Sequence, residues 1–290
     1  MTDFKNAAEL LALCKAENLK ISEVMLHRET ELGETTVEAA NSRMLHAFEI
    51  MGESAHTPIH TAVKSMGGLI GGEAKKMMLF QNAQGGPCGE VIGKGITYAM
   101  AVLETNASMG LIVAAPTAGS AGIVPGVLLA LQEVYQFSDS RMVEALFNAG
   151  AIGYLAMRNA TVAGAVGGCQ AEVGVASAMA ASAAVELLGG SAQQCLDAAS
   201  TVLMNMLGLV CDPVGGLVEY PCQNRNAAGV ANAIIAAQMA LAGITQLIPL
   251  DEMMNTMYTV GKRLPPELRE TALGGCAIAP SACAACCLNH

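Results

Sequence analysis

The sequence predicts an all-α protein, a multi-helix domain whose helices are separated by glycine-rich loops. Hydrophobic residues make up 53% of the 290 residues but aromatic residues only 3%, and there is no Trp. Small aliphatic side chains at this density allow helices to pack closely. Apolar residues recur at helical spacing, and few segments alternate apolar and polar residues as strands do.

The first 55 residues predict a polar N-terminal helical segment. Two helices are expected, over residues 6–16 and 22–52, with Ser22 as the N-cap of the second. Near residue 56 the charged residues thin out and glycine pairs appear. We therefore expect an N-terminal segment, 1–55, and a helical body, 56–290, that carries the functional residues. One continuous domain is the alternative.

Further helices are expected along the body, with Ser138 and Ser191 at N-cap positions. They are predicted over residues 90–108, 125–135, 138–158, 172–188, 191–209, 226–244 and 251–260. Glycine- and proline-rich loops lie between them, at residues 67–72, 116–122, 167–169 and 211–216. Loops held by a rigid scaffold are common places for chemistry, so these loops are expected to surround the functional site.

Charge and hydropathy exclude some classes of function. The net charge of −10 argues against nucleic acid as a partner, because phosphate binding needs a positive surface. Residues 227–250 carry no formal charge and are long enough to span a membrane. They contain Asn232, Gln238 and Gln246, and the chain has no Trp for an interfacial belt. A buried helix of a soluble protein is the favoured interpretation, with a membrane protein as the alternative.

The N-terminus and the cysteine content together predict a cytoplasmic protein. Asp3 and Lys5 stand where a signal peptide would need an apolar run. In a reducing compartment, the ten cysteines are expected to be thiols or metal ligands rather than disulfides.

Three cysteines stand at predicted loop–helix junctions: Cys169, Cys211 and Cys222. They are separated by 42 and 11 positions, which is neither a ferredoxin nor a zinc-finger spacing. Taken singly, each is expected to be a small buried side chain. Glycines beside them would let the backbone approach a bulky group, and helix N-termini suit an anionic one. Three thiolates would leave one iron of a four-iron cluster open, as a Lewis acid requires.

The segments around these cysteines resemble the signature of the iron–sulfur-dependent L-serine dehydratases. Residues 168–174 read GCQAEVG, and residues 211–227 read CDPVGGLVEYPCQNRNA. Residues 104–110, 115–125 and 65–76 also resemble conserved segments of that family. Gly67 and Ile70 stand where the family often has small hydroxylated residues, which is a departure. The likeness covers most of residues 56–275.

The resemblance implies a [4Fe–4S] cluster bound by Cys169, Cys211 and Cys222, without pyridoxal phosphate. It implies deamination of L-serine to pyruvate and ammonia, in amino-acid degradation and gluconeogenesis. The open iron would act as the Lewis acid for the departing hydroxyl. The family also has a β part with a Ser-Ser-Ser-His-Thr motif, which is absent from this sequence. A separate β chain is therefore expected, in an αβ heterodimer or a multiple of it.

Four residues are candidates for substrate binding. Thr117 and Ser120, with the N–H groups of their glycine-rich loop, are expected to hold the substrate carboxylate. The alternative is a tight turn before a helix. Arg225 and Asn226 are expected to bind the substrate or the sulfides of the cluster. The alternative for them is the start of a helix with an incidental ion pair.

The general base is not identified by the sequence. Lys76, Glu172 and Glu104 are candidates, the two carboxylates because their surroundings are apolar. A solvated lysine and hydrogen-bonded structural carboxylates are the alternatives. His56 and His60 lie one helical turn apart, but Pro58 between them disfavours a metal site there.

Other functions remain open. A related cysteine desulfidase or threonine dehydratase would also break a Cβ–heteroatom bond. An iron–sulfur electron-transfer or redox-sensing subunit would instead need four protein ligands. The C-terminal segment is rich in cysteine: Cys276, Cys283, Cys286 and Cys287. One of these thiols is expected to reach the open iron when substrate is absent, and a plain C-terminal tail is the alternative.

Overall fold

The computed structural model describes residues 2–288, with side chains through residue 285. This part of the chain contains thirteen α-helices, joined by loops and short helical turns, and no β-strand. This confirms the all-α prediction. The helices are α1 Ala7–Glu17, α2 Ile21–Leu32, α3 Val37–His60, α4 Glu73–Gln84, α5 Gly89–Ala107, α6 Ile123–Tyr135, α7 Asp139–Asn159, α8 Gly164–Gly167, α9 Val175–Leu187, α10 Ala192–Asn205, α11 Cys222–Leu241, α12 Leu250–Arg263 and α13 Pro280–Leu288.

Helix α9 is the centre of the molecule, and every one of its residues is buried. It is surrounded by α6, α7, α10 and α11. Most of its side chains are Ala, Ser or Val, so neighbouring helices approach it closely. A helix that is apolar on all sides belongs in the middle of a core, and the alanine-rich composition is explained in this way.

Glycines permit the close crossing of α5 and α6. A Cβ added at Gly126 would lie 2.7 Å from the carbonyl oxygen of Gly95. The two backbones therefore touch where any side chain would separate them. This crossing fixes the start of α6, and with it the loop of residues 116–122 that precedes it.

The predicted helix over residues 22–52 is wrong, because the chain forms two helices there. Helix α2 ends at Leu32, and Glu34 then adopts a left-handed conformation with φ 46°. Thr36 starts α3 by accepting a hydrogen bond from the N–H of Ala39. The predicted N-cap was also wrong: Lys20 is the N-cap of α2, and Ser22 lies inside the helix.

Helix α4 was not predicted. Ala74 is its only buried residue, so the amphipathic pattern that reveals a helix in a sequence is missing. At the other long helices, the predicted boundaries differ from the observed ones by a few residues. The largest difference of functional interest is at α11, which begins at Cys222 rather than at Asn226.

The long uncharged stretch 227–250 is not one helix, because α11 ends at Leu241. Within the described residues, one helical segment is long and apolar enough to cross a membrane, Ala118–Tyr135. Two thirds of it, 67%, is buried inside the protein, as in a core helix.

The first 55 residues share their core with the rest of the chain. Phe4, Leu10 and Ile21 are buried in the same apolar cluster as residues of α9 and α12. Helix α3 runs through position 55, the predicted division. Asp251 at the start of α12 accepts hydrogen bonds from the N–H groups of Ala7 and Ala8, at 2.8 and 3.1 Å. The division at residue 55, with one continuous domain as its alternative, stays a prediction.

Candidate active site

The three cysteines predicted as ligands are all buried, and two of them, Cys169 and Cys222, lie at junctions between a loop and a helix as predicted. Cys169 follows Gly168, whose φ is 75°, and precedes a short π-helix, Gln170–Gly174, that leads into α9. Cys211 lies in an extended segment that pairs with Arg269. Cys222 is the first residue of α11. π-helical turns inside helices are frequent at functional sites.

Two of these cysteines and Glu172 form one group of potential ligands. The Sγ atoms of Cys169 and Cys211 and a carboxylate oxygen of Glu172 all lie within 4.8 Å of one another. Cys211 Sγ donates a hydrogen bond to Glu172 Oε2 at 3.7 Å. We refer to Cys169, Glu172 and Cys211 as the donor group.

Cys222 is close enough to the donor group to be affected by its charges. Burial, with the charges of Cys169 and Glu172, raises the pKa of Cys222 to about 12. The hydrogen bond with Cys169, together with burial, raises the pKa of Cys211 far above its ordinary value. Without a bound metal the thiols of Cys211 and Cys222 are therefore protonated. A metal would have to replace these protons.

Glycines bring two backbone segments directly against the donor group. A Cβ at Gly164 would collide with Glu172 Oε2 and lie 3.1 Å from Cys211 Sγ. A Cβ at Gly119 would lie 3.2 Å from Glu172 Oε1. Soft thiolate donors in a buried, glycine-lined setting fit an iron–sulfur group.

The predicted substrate residues Thr117 and Ser120 lie beside the donor group. Thr117 Oγ1 donates to Glu172 Oε1 at 2.8 Å and lies 3.1 Å from Ser120 Oγ. Burial raises the pKa of Glu172, and Glu270 raises it further, while the hydrogen bonds from Thr117 and Cys211 act in the opposite direction. The structure thus brings Thr117, Ser120, Glu172 and two predicted cysteine ligands together.

Arg225 places a positive charge, on a partly buried side chain, beside the site. Its Nη1 lies 2.6 Å from Asp212 Oδ1 and donates a hydrogen bond to the carbonyl of Val210 at 2.9 Å. Burial lowers the pKa of Arg225, but Cys169 and Asp212 beside it outweigh burial and raise it. This charge offsets part of the negative charge that three thiolates would bring.

Asn226 joins the loop of residues 116–122 to α11. Its Nδ2 donates to the carbonyls of Gly119 and Cys222, at 2.8 and 2.9 Å, and its Oδ1 accepts from Gly122 N at 3.1 Å. Both N–H groups are used within the protein. A direct contact of Asn226 with substrate therefore stays a prediction, and positioning of the loop is the role its contacts support.

The other two candidate bases, Lys76 and Glu104, are not part of the donor group. Lys76 is exposed on α4, and its charge acts on Glu73. Glu104 is completely buried in α5, where Oε1 accepts from Ala74 N at 2.9 Å and from Gln223 Nε2 at 3.1 Å. Burial raises the pKa of Glu104, and the neighbouring Glu73 raises it further.

The sequence interpretation missed Asp212 and Glu219, two buried carboxylates of the second cysteine segment. The sequence does mark them, since each is an acidic residue in an otherwise glycine-rich and apolar stretch. Asp212 Oδ2 accepts a hydrogen bond from Cys276 N at 2.6 Å, which holds the C-terminal part of the chain beside the site. The side chains of Cys286 and Cys287, part of the predicted cysteine-rich tail, lie outside the described residues.

Comparison with known proteins gives one consistent family. A family model described as serine dehydratase alpha chain matches residues 16–277. A probable L-serine dehydratase alpha chain of Bacillus subtilis (strain 168) is 47% identical over 278 residues, covering 96% of this chain and 92% of that protein. The L-serine dehydratase alpha chain of Peptoniphilus asaccharolyticus is 43% identical over 271 residues, covering 93% of each chain.

Longer relatives are also found. The L-serine dehydratase TdcG of Escherichia coli (strain K12) is 38% identical over 288 residues, covering 95% of this chain but 62% of that protein. The alpha chains are thus matched over nearly their whole length, whereas the longer relative has a further part with no counterpart in the alignment.

Proposed function

The chain belongs to the serine dehydratase alpha chain family, and we propose that it is the α part of an enzyme that deaminates L-serine to pyruvate and ammonia. The observation that carries the proposal is the donor group, Cys169, Glu172 and Cys211, within 4.8 Å and buried. It lies in the two segments whose sequences led to the resemblance.

We infer that Cys169, Cys211 and Cys222 hold the cofactor. With these three thiolates as ligands, a [4Fe–4S] cluster would supply an open iron as the Lewis acid for the departing hydroxyl of serine. The soft donor set and the glycines at positions 119 and 164 support this assignment. Pyridoxal phosphate is not part of the proposal.

The side chains next to the donor group orient the substrate in this proposal. Thr117, Ser120 and the N–H groups of their loop bind the carboxylate of serine, and Arg225 adds a positive charge. Asn226 holds the loop in place through its bonds to Gly119 and Gly122.

The reaction needs no oxidant or reductant. One proton leaves Cα and one hydroxide leaves Cβ, and together they form water. The enamine that remains tautomerises, and water hydrolyses it to pyruvate and ammonia. Glu172 is the base candidate whose carboxylate lies in the donor group, which favours it for a part in proton transfer or ligation. Lys76 and Glu104 remain candidates that act from further away.

A separate β chain is proposed as the partner, in an αβ heterodimer or a higher oligomer of such units. The alpha chains that resemble this protein match it over nearly their full length, whereas the longer relative carries an additional part. Met66, Met109 and Leu217 are exposed apolar residues on neighbouring loops. Met66 N donates to the carbonyl of Ala107, and Leu217 packs against Gly67. An exposed apolar surface of this kind supports a protein partner.

The cytoplasm is the proposed compartment, with no membrane or nucleic acid among the partners. The eight cysteines whose side chains are described are all free thiols, which supports a reducing environment. The pyruvate formed would serve amino-acid degradation and gluconeogenesis.

Replacing the ligands tests the proposal. We expect Cys169→Ala, Cys211→Ala and Cys222→Ala, each purified without oxygen and combined with the β chain, to fall from about four irons per chain to below about one. Serine deamination should disappear with the iron. Cys195→Ala is the matched control, because Cys195 is equally buried but is not a proposed ligand and contacts Asn148 of α7; this variant should keep both its iron and its activity.

Assays with three substrates separate the remaining functions. Turnover of serine in preference to threonine and cysteine supports the proposal, whereas a preference for threonine or cysteine would identify a threonine dehydratase or a cysteine desulfidase. An electron-transfer subunit would turn over none of them, and its cluster spectrum would not respond to serine. Full serine turnover by a preparation without iron would overturn the proposed chemistry.

A further inference from the structure

The glycine-rich loop of residues 65–74 is wrapped around the carboxylate of Glu219. Glu219 Oε1 accepts a hydrogen bond from Gly67 N at 2.6 Å. Its Oε2 accepts from Ser65 Oγ at 2.8 Å and from Leu69 N at 2.9 Å. Glu219 is 2% exposed, so water contributes little to satisfying its charge. We call residues 65–74, which include the first two residues of α4, the glycine loop.

Backbone and hydroxyl donors, rather than a cation, stabilise this carboxylate. None of the ion pairs found within residues 2–288 involves Glu219. Hydrogen bonds to a buried charge are strong, and a buried charge that loses them is costly. The conformation of the glycine loop and the position of Glu219 are therefore fixed by each other.

The other end of the glycine loop is linked to the start of α11 through Glu104 of α5. Ala74 N and Gln223 Nε2 both donate to Glu104 Oε1, at 2.9 and 3.1 Å. Gln223 is the second residue of α11, and its N–H donates to the carbonyl of Glu219 at 3.0 Å. One end of the glycine loop thus bonds to Glu219 directly, and the other end bonds to Glu104, which also accepts from Gln223, the residue that follows Cys222.

We propose that Glu219 is a positioning residue that makes the glycine loop and the start of α11 one mechanical unit, and thereby holds Cys222 in place for the cluster. Only Tyr220 and Pro221 separate Glu219 from Cys222. Displacement of the loop therefore moves Glu219, and Glu219 moves the first turn of α11. This role rests on the proposed cluster ligands, but its mechanical part is independent of the reaction.

Amide hydrogen exchange of the αβ protein tests the mechanical part. Glu219→Gln keeps the size of the side chain, removes its charge and turns an N–H donor toward the N–H and O–H groups of the loop. We expect exchange in residues 65–74 and in residues 222–226 to accelerate together, by roughly tenfold or more, from the loss of hydrogen bonds to a buried charge. Unchanged exchange in residues 222–226 would overturn the proposal.

The rate at which a chelator removes iron tests the consequence for Cys222. Glu219→Gln should lose iron roughly tenfold faster than the native protein for the same reason, and Glu219→Asp should lie between the two. The matched control is Glu186→Gln. Glu186 is also buried and accepts hydrogen bonds, from Asn148 Nδ2 at 2.7 Å and Ser22 N at 3.3 Å, but belongs to another part of the core. Its variant should release iron at the native rate; equal acceleration would show a general loss of stability and contradict the proposal.

A double-mutant cycle that combines Ser65→Ala with Glu219→Gln tests the same contact with a smaller disturbance of folding. Ser65→Ala removes one of the three donors and should give a smaller acceleration. Combined with Glu219→Gln it should add almost nothing, because both changes break the same contact. Additive effects would overturn the proposal. Serine turnover by the native protein is measured in parallel, so that failure of the proposed function is seen separately from failure of this inference.

Discussion

Glu172 connects the two sides of the site through its two carboxylate oxygens. Oε1 accepts a hydrogen bond from Thr117 in the loop that precedes α6, and Oε2 accepts one from Cys211. The carboxylate is packed between the backbones of Gly119 and Gly164. A single Cβ atom at either glycine would contact this carboxylate, so adding one methyl group is a sharp test of the packing.

Gly164→Ala is expected to abolish iron binding and serine deamination. Its Cβ would meet both Glu172 and Cys211, and overpacking of this kind costs about 1–3 kcal/mol and shifts the backbone. Iron content and turnover of the purified αβ protein measure the effect.

The control is Gly150→Ala in α7, where nothing lies within 4 Å of the added Cβ. That variant should keep its iron and gain about 0.5–1 kcal/mol of unfolding free energy. Native iron content in Gly164→Ala would contradict the described packing.

At the scale of elements, α3, α5 and α6 are tied together by Glu133 of α6. Its carboxylate accepts from Lys94 Nζ at 2.7 Å and from Tyr98 Oη at 2.5 Å, both on α5. His56 Nε2 of α3 lies 3.8 Å away. Glu133 lies in the last turn of α6, so these contacts hold that end of the helix against α5 and α3. Burial raises the pKa of Glu133, but the bonds from Lys94 and Tyr98 outweigh it and hold the pKa below its ordinary value of 4.5.

Glu133→Gln should therefore destabilise the protein in a pH-dependent way. A carboxyl whose pKa is lowered by folding adds stability above its unfolded pKa and loses it as the pH falls toward the folded value. We expect the variant to be less stable than the native protein near neutral pH, and the difference to shrink below about pH 4.5. Urea unfolding of both proteins near neutral pH and below about pH 4.5 measures this difference in unfolding free energy. Glu49→Gln, at an exposed side-chain contact with His46, is the control and should change the unfolding free energy little. A difference that stays constant with pH would contradict the assignment.

For the whole molecule, the contact between α1 and α12 joins the beginning of the chain to a helix more than 240 residues later. Asp251 caps the N–H groups of Ala7 and Ala8 while it lies in the first turn of its own helix. The N-terminal segment is thereby held against the body that carries the site.

Asp251→Ala is expected to cost about 1 kcal/mol of unfolding free energy, as loss of a helix cap does, and to release α1. Limited proteolysis should then cut within the first 20 or so residues before the rest of the chain, since segments that are not tied down are cut first. Glu252→Ala is the control, because Glu252 also lies in the first turn of α12 but caps no other helix. Equal cutting in both variants would show that the cap does not hold α1.

Much of the fold could be predicted from the sequence, because helical periodicity and small apolar residues act locally. The all-α class, most of the long helices and the cap at Ser191 follow from neighbours within a few positions. The break at Glu34 and the helix α4 did not follow, since neither produces a clear apolar pattern. The cysteines and the family resemblance were also available in the sequence, because the motif of residues 211–227 is long.

The tertiary structure alone decided which side chains meet. Cys169 and Cys211 are 42 positions apart, and no local rule brings their sulfur atoms within 4.8 Å of each other and of Glu172. The same holds for Glu219, whose partners in the glycine loop lie about 150 residues earlier. Packing of α9 at the centre and the glycine-permitted approach of the loops bring these groups together. The sequence by itself determined the helices and the chemical types of the ligands, whereas long-range packing decided the geometry in which those ligands meet.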